Sequence, residues 1–168
     1  MNQKALHILE YNKIINQLTQ KASSLPGKEL CSALLPMTQE EEIKTAQEHT
    51  ADALRRLFKK GGISFGGNKP LARSLSSLEI GSCLSSMELL TIAALLENVN
   101  RIKAYGRKDR EDLPSDSLDA FFDQLEPMIY LSEEIRRCIL GENEFADDAS
   151  SGLKHIRRSK LLINEKIH

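Results

Sequence analysis

The sequence predicts an all-α protein, and three features of the chain indicate this. Segments with apolar residues at helical spacing follow one another along most of the 168 residues. Polar capping residues precede several of these segments, and glycine or proline follows them, as at Gly61, Gly106 and Pro127. Only residues 138–148 break this rhythm: they surround a Gly-Glu-Asn-Glu turn, which predicts a small hairpin.

Four helices are predicted in the first part of the chain. Asn12 is expected to cap the second of them. Thr38 and Glu41 have the spacing of a capping box at the start of the fourth, where each side chain accepts a hydrogen bond from the other's backbone amide. The fourth helix should end at Gly61, because glycine supplies the left-handed backbone that closes a helix. Its apolar face consists of Ile43, Ala46, Thr50, Ala53, Leu54 and Leu57.

A second capping box, Ser85 to Glu88, predicts the start of a long helix in the middle of the chain. Nearly every position from Leu89 to Val99 is apolar, so this helix should be buried on most sides and form the core of the unit. Gly106 is expected to end it. Two shorter helices follow, separated by Pro127.

Ser150 or Ser151 is expected to cap the last helix. Apolar residues in this helix recur at alternating spacings of three and four, which is the seam of a coiled coil with one lysine in it. No glycine, proline or capping residue closes the helix, so we expect it to be cut at His168. The seam consists of Leu153, Ile156, Lys160, Ile163 and Ile167.

Composition excludes several classes of function. Hydrophobic residues make up 40% and charged residues 28% of the chain, which are ordinary values for a globular domain. Aromatic residues make up 5%, too few to stack many bases of a single strand. Cys31, Cys83 and Cys138 are odd in number and far apart, which favours reduced thiols over a disulfide framework or a zinc site. Without a signal peptide or an apolar run long enough to span a membrane, we expect a cytoplasmic protein.

The glycine-rich stretch GGISFGGNKP, residues 61–70, superficially resembles a phosphate-binding loop. Gly62 and Gly67 have the glycine spacing of a Walker A motif, but Asn68 stands where the lysine belongs and Lys69 comes one residue late. The preceding segment has helical spacing, whereas a phosphate loop follows a buried strand. The stretch therefore predicts a turn that ends a helix, and no cofactor-binding residue is assigned to it.

Neither a metal site nor a catalytic site is predicted. The four histidines form no pair at helical ligand spacing, and no G-x-S-x-G motif marks a nucleophilic serine. The acidic residues of the hairpin suggest calcium at first, but they lack the order of an EF-hand loop, and a solvated turn is the better interpretation. These acidic residues are Glu142, Glu144, Asp147 and Asp148.

Two basic clusters are candidates for contact with nucleic-acid phosphates. Each has a simpler interpretation as a solvated face, and in the first the cations also suit the negative end of the helix dipole. The first cluster, at the end of the long helix, consists of Arg101, Lys103, Arg107, Lys108 and Arg110. The second, on the outer faces of the last helix, consists of Lys154, Arg157, Arg158 and Lys160, and these four are the candidate nucleic-acid contacts.

Four segments in order resemble the N-terminal part of MutS-type ATPases of the short branch, MutS type two. They are residues 5–38, GGISFGG, the serine-rich stretch with the long helix that follows it, and FADDASSGLKHIRR. The resemblance covers the whole chain in register. In the family, a D-x-A-S-x-x-L-x-x-I-R-R stretch leads into a long lever helix, and Gly152 in its first turn is a departure here. The matching residues are Asp147, Ala149, Ser150, Leu153, Ile156, Arg157 and Arg158.

The resemblance implies the first half of a MutS-like helical core domain at residues 1–150 and the start of the lever helix at residues 151–168. It implies a longer parent protein: a homodimeric, DNA-binding, mismatch-repair-like ATPase and endonuclease. The parent would act in control of recombination and, in some members, in rescue of collided ribosomes. ATP and magnesium would bind beyond His168, so no catalytic residue is assigned to this chain.

Apart from the resemblance, the residues leave two other interpretations open. In the first, the chain is a free-standing helical interaction module that binds a partner protein through the seam of its last helix, by docking that helix into a groove. The second, direct binding of DNA by this chain, depends on the two basic clusters and predicts an affinity that falls steeply with salt.

Overall fold

The computed structural model describes residues 3–65, 70–107 and 115–167. Over these residues the fold is all-α with one small antiparallel hairpin, so the predicted fold class is confirmed. The hairpin pairs Ile139 with Phe145 and Gly141 with Glu144. The helices are α1 (Gln3–Ile8), α2 (Tyr11–Lys21), α3 (Leu25–Ser32), α4 (Glu40–Lys60), α5 (Ala72–Glu79), α6 (Ser86–Gly106), α7 (Asp119–Asp123), α8 (Ile129–Cys138) and α9 (Ser151–Ile167), and the strands are β1 (Ile139–Gly141) and β2 (Glu144–Phe145).

The contacts within the chain divide it into two compact units. The first unit comprises residues 1–68 and 101–126, and the second comprises residues 69–100 and 127–168, so the boundary falls within α6. The division predicted above, at residue 150, concerns the domains of a longer protein and stays a prediction.

The second unit has a small apolar core. Ala93 of α6 is fully buried, and Ile135 of α8 and Ile139 of β1 are nearly so. The prediction that α6 contributes the core of its unit is therefore confirmed. Between Leu89 and Val99 only Ala94 and Glu97 are exposed, so α6 is covered on most of its sides, as predicted.

The capping box at the start of α6 forms as predicted. The Ser85 backbone amide donates to Glu88 Oε2 at 2.9 Å, and the Glu88 amide donates to Ser85 Oγ at 3.3 Å. The Ser85 hydroxyl also donates to Glu88 Oε2 at 2.8 Å. Ser74 of α5 donates to the other oxygen of the same carboxylate at 3.0 Å, so the cap also ties α5 to the start of α6.

Two other predicted caps are wrong. The N-cap of α4 is Gln39, with no hydrogen bond from its side chain, so the Thr38–Glu41 box does not form. Three glutamates occupy the first turn of α4, and their negative charge stabilises the amide end of the helix in place of a capping oxygen. Asn12 lies inside α2, whose N-cap is Glu10 in the left-handed region at φ 55°. Glu10 makes the turn between the two helices, since α1 ends at Ile8, only two residues earlier.

The end of α4 agrees with the sequence. Gly61 follows Lys60 with φ 76°, a conformation that favours glycine. A helix, not a strand, therefore precedes the glycine-rich stretch. Gly67, Asn68 and Lys69 of that stretch lie outside the described residues.

Helix α4 buries a polar side and leaves its apolar face open. Asp52 and Arg56 are 4% and 3% exposed, whereas Leu54 and Leu57 are 51% and 49% exposed. An apolar stripe normally turns toward the core. Here the orientation of the helix is set by charge, because Asp116 before α7 and Asp119 at its start hold Arg56 inside the first unit.

Candidate nucleic-acid interface

The last helix begins where a serine caps it. The Leu153 backbone amide donates to Ser150 Oγ at 3.1 Å, which confirms Ser150 as the cap. Just before it, the hairpin residue Ala146 donates its amide to the Cys138 carbonyl at 3.0 Å. The start of α9 is thus held close to the end of α8 by the hairpin that connects them.

Arg157, one of the four candidate contacts, is already engaged by this hairpin. Its guanidinium donates to the Phe145 carbonyl at 3.1 Å and is ion-paired with Asp147. From the other side, Arg137 of α8 donates to the Asp148 carbonyl at 3.2 Å. Two of the acidic residues that suggested calcium therefore take part in contacts with arginines, and Arg157 has a local structural role.

The other three candidates are exposed, but they do not share one face. Lys154 and Arg158 are four residues apart and so lie one above the other on α9. Lys160 lies on the apolar seam instead, between Ile156 and Ile163. The structure thus brings together two exposed cations of the four and separates Lys160 from them.

The seam of α9 is open to solvent. Ile156 and Ile163 are 65% and 58% exposed, while Leu153 near the hairpin is half-buried. The side chain of Ile167 lies outside the described residues. Along its second half, α9 therefore presents apolar side chains next to a lysine.

The first basic cluster is partly engaged inside the first unit. Lys103 Nζ donates to the carbonyls of Leu125 at 2.5 Å and Asp123 at 3.4 Å, at the end of α7. Lys108 and Arg110 lie outside the described residues. Lys103 therefore acts here as a cap for the C-terminal carbonyls of a helix, a position that favours a cation.

A buried charged cluster in the first unit was not predicted from the sequence. Arg56 Nε and Nη2 donate to the two carboxylate oxygens of Asp116, both at 2.6 Å, and Nη2 also donates to Asp119 Oδ1 at 2.5 Å. Nη1 donates to the Gly106 carbonyl at 3.3 Å, and the guanidinium lies 4.9 Å from the Phe122 ring centroid. All three guanidinium nitrogens thus have partners.

The neighbouring groups complete this cluster. The backbone amide and the hydroxyl of Ser117 donate to Asp52 Oδ2 at 2.9 and 2.8 Å, which lowers the pKa of Asp52. Hydrogen bonds from Arg56, above all to Asp116, raise the pKa of the guanidinium. At the end of α4, Lys60 donates to the Tyr105 carbonyl at 3.1 Å, and Tyr105 donates back to the Gly61 carbonyl at 3.0 Å. Because the guanidinium nitrogens of Arg56 and the amide and hydroxyl of Ser117 all donate to groups within the cluster, we interpret the cluster as stabilising the fold and not as a catalytic site.

Hydrogen bonds in the second unit lower the pKa of several carboxylates. The hydrogen bond from Arg137 lowers the pKa of Glu134 to about 2. Arg136 lowers the pKa of Glu97 in the same way, and the amide of Ser85 lowers that of Glu88. Burial raises the pKa of the Cys138 thiol, so this cysteine is a poor nucleophile.

We expect the protein to lose stability progressively between about pH 4.5 and pH 2. The pKa of Glu134 is lower in the folded state than in the unfolded chain, so its stabilising effect is complete above the unfolded pKa of 4.5 and disappears as the pH falls toward about 2. The measurement is urea unfolding at a series of pH values for the wild-type chain and for Glu134→Gln. Because both side chains of the Glu134–Arg137 pair are more than 40% exposed, the difference should shrink with salt. A difference that grows as the pH falls would contradict this.

Within the residues that the structure describes, no three His, Cys, Asp or Glu side chains come together as they would to bind a metal ion. The three cysteines are free, and Cys83 is exposed. None of the described helices combines the length and the apolar character needed to cross a membrane.

The chain is similar over its whole length to curated proteins named endonuclease MutS2. It is 45% identical over 173 residues to that of Lachnoclostridium phytofermentans and 46% identical over 168 residues to that of Agathobacter rectalis, with 100% of this chain covered in each case. The protein of Lachnospira eligens is 39% identical over 168 residues. This chain corresponds to the N-terminal region of MutS2-type proteins. It spans 21–22% of the length of these MutS2 relatives. No family model matches the chain.

Proposed function

We propose that this chain is the N-terminal structural core and lever segment of a MutS2-type protein, a homodimeric DNA-binding ATPase and endonuclease. The similarity of this whole chain to part of the proteins named endonuclease MutS2 carries this proposal. Under it, control of recombination is the parent's main role, and rescue of collided ribosomes is a further role. ATP and magnesium bind in parts of the parent outside these 168 residues.

The role of this chain within such a protein is mechanical. Several hydrogen bonds fix helix ends to neighbouring elements: Arg56 and Lys60 of α4 bind carbonyls at the end of α6, and Arg157 of α9 binds the hairpin before it. Because these hydrogen bonds join the ends of neighbouring elements, a movement of α4 would also move the end of α6, and a movement of the hairpin would also move α9. The test is an assay of the purified chain for ATP hydrolysis and for DNA cleavage. Either activity, if it co-purifies with the chain and survives further purification, contradicts a purely mechanical role.

We expect Lys154 and Arg158 to make any nucleic-acid contact of this chain. Changing both to Ala should weaken binding to a branched DNA or to a ribosomal RNA hairpin, and on duplex DNA it should lower the salt dependence by about 0.9 for each phosphate that is no longer neutralised. The measurement is fluorescence anisotropy over a range of salt concentrations. Lys13→Ala with Lys44→Ala is the matched control, because those lysines are exposed but ion-paired on α2 and α4. An equal loss in the control would show that net charge alone is responsible, and the absence of binding at low salt would refute direct contact.

The alternative function is a helical interaction module that binds a partner through α9. The specific observation in its favour is the exposure of Ile156 and Ile163, at 65% and 58%. It predicts that Ile156→Asp with Ile163→Asp abolishes capture of a partner and leaves the thermal stability of the chain unchanged. The mechanical proposal predicts that the same change has its effect only in a protein that also contains the regions following the lever.

A further inference from the structure

Polar contacts hold the start of α9 to the rest of the second unit, and apolar packing contributes little there. Within the described residues, the apolar core of this unit comes from α6, α8 and β1, and no side chain of α9 belongs to it. Leu153 is half-buried, but Phe145 and Ile156 on either side of it are 42% and 65% exposed. Side-chain packing normally fixes the angle at which two helices meet. At α9 another set of interactions has to do this.

The last two residues of α8 bind the segment that leads into α9. Arg137 Nη1 donates to the Asp148 carbonyl at 3.2 Å. The Cys138 thiol lies within hydrogen-bond distance of the next carbonyl, that of Ala149, at 3.5 Å. Arg137 is itself held in place, because its Nε and Nη2 donate to the two carboxylate oxygens of Glu134 at 2.9 and 2.6 Å. A bidentate pair of this kind fixes the plane of the guanidinium, so the donor toward the segment is oriented in advance.

Arg157 binds the same segment from the α9 side. Its guanidinium donates to the Phe145 carbonyl at 3.1 Å and is ion-paired with Asp147. Two arginines from two different helices thus hold a stretch of four residues, 145–148, from opposite sides. We call residues 145–150, together with Arg137 and Arg157, the α8–α9 joint.

We propose that the α8–α9 joint fixes α9 in one direction relative to α8, with Arg137 and Arg157 as its positioning residues. An exposed connecting segment with few buried apolar contacts is normally mobile. Here both ends of the segment are bound by a cation, and a hydrogen bond from a charged donor is stronger than one from a neutral donor. We therefore expect α8, the hairpin and the start of α9 to move as one body. This rigidity is a property of the chain itself, and only its use as the base of a lever rests on the proposed function.

The joint should affect the direction of α9 far more than the stability of the chain. The side chains of Arg137 and Arg157 are 46% and 40% exposed, and ion pairs this exposed contribute little to the free energy of unfolding. Removing both arginines should therefore leave the helices folded and widen the range of directions that α9 takes. This combination distinguishes a positioning role from a merely structural one.

Pulsed electron paramagnetic resonance tests the proposal, because it measures both the distance between two spin labels and the width of its distribution. The labels are attached at Glu133→Cys on α8 and at Glu165→Cys near the end of α9, both of which are exposed positions. The three native cysteines are changed to serine in every sample. At position 138 this retains a donor, since the hydroxyl of Cys138→Ser can still reach the Ala149 carbonyl.

The reference protein should give one narrow distance distribution. Arg137→Ala with Arg157→Ala should widen it at least about twofold, with unchanged helix content in circular dichroism. The matched control is Arg136→Ala with Arg158→Ala, which removes two arginines at adjacent positions of the same helices and should retain the narrow distribution. In the control Arg136 loses an exposed pair with Glu97 of α6. A broad distribution in the reference, an unchanged width in the first variant, or equal widening in the control overturns the proposal.

Lysine at the two positions gives a milder test. In Arg137→Lys with Arg157→Lys each ammonium can still donate to a carbonyl, although the bidentate hold on Glu134 is lost. A distribution narrower than that of the alanine variant supports the proposal, and one equally wide contradicts it. If the double alanine variant does not fold, Arg157→Ala alone decides, because it leaves the contacts of α8 intact: an unchanged width would then overturn the proposal. The assays for ATP hydrolysis and nucleic-acid binding do not depend on these distances, so the joint and the proposed function can fail separately.

Discussion

Replacing Arg56 by methionine is expected to lower the free energy of unfolding by about 3–5 kcal/mol. The side chains of Arg56 and Asp116 are 4% and 6% exposed, so the change would leave buried carboxylates without their cation. The Gly106 carbonyl at the end of α6 would lose a donor as well. Since the chain has no tryptophan, urea unfolding is best followed by far-ultraviolet circular dichroism.

The matched control is Arg55→Met, one residue earlier on the same helix. Arg55 also pairs with a carboxylate, donating to Asp52 Oδ1 at 2.7 Å, but its side chain is 51% exposed. Asp52 is buried, but it keeps two hydrogen bonds from Ser117 when Arg55 is removed, so Arg55→Met should cost less than Arg56→Met. Equal losses in the two variants would mean that the helix position matters and the buried cluster does not. A third variant, Arg56→Lys, should recover only part of the loss, because an ammonium cannot donate to both oxygens of Asp116 in the planar geometry of a guanidinium.

Interactions between residues close in sequence were the ones that could be predicted. The Ser85–Glu88 box, the Ser150 cap and the left-handed Gly61 each depend on a few neighbouring residues, and each forms. The Thr38–Glu41 pair has the same spacing as the first of these and does not form. The difference is that α4 begins one residue later than the box requires, with Gln39 as its N-cap, so Thr38 lies outside the capping position.

The buried face of α4 could not be predicted, because its partners are distant. Arg56 lies sixty residues from Asp116, and nothing in the sequence around either marks them as a pair. Charged residues on a helix are normally solvated, and apolar ones normally face the core. Both rules fail on this helix for one reason: Asp116 and Asp119, before and at the start of α7, fix its rotation, and its apolar face stays exposed.

The candidate site was predictable only in part for a related reason. Helical spacing correctly places Lys154 and Arg158 on one face of α9. It gives no sign that Arg157 is held by Phe145 and Asp147, since that contact requires the hairpin to fold back on the helix. A basic residue next to a turn with several acidic residues is the one signal that would have suggested it.

Two glycines in helices are expected to respond to the same substitution with opposite signs. Gly106→Ala should lower the free energy of unfolding by about 1–3 kcal/mol, because the added Cβ would overlap the ring of Phe122 in a packed region. Gly152→Ala should raise it by up to about 1 kcal/mol, because alanine is the better helix former and the nearest atom to its Cβ would be Ser150 Oγ at 4.0 Å. Both are measured by urea unfolding under the same conditions.

A double-mutant cycle separates the overlap from any general effect at position 106. In a Phe122→Ala background the ring is absent, so Gly106→Ala should cost little or nothing there, although Phe122→Ala itself is destabilising. Additive losses would mean that the backbone conformation of Gly106, and not the ring, requires glycine. Because Phe122 also lies against Arg56, and the Gly106 carbonyl accepts from that arginine, the overlap should propagate into the charged cluster. The cost of Gly106→Ala should therefore be smaller in an Arg56→Met background, where that hydrogen bond is already absent.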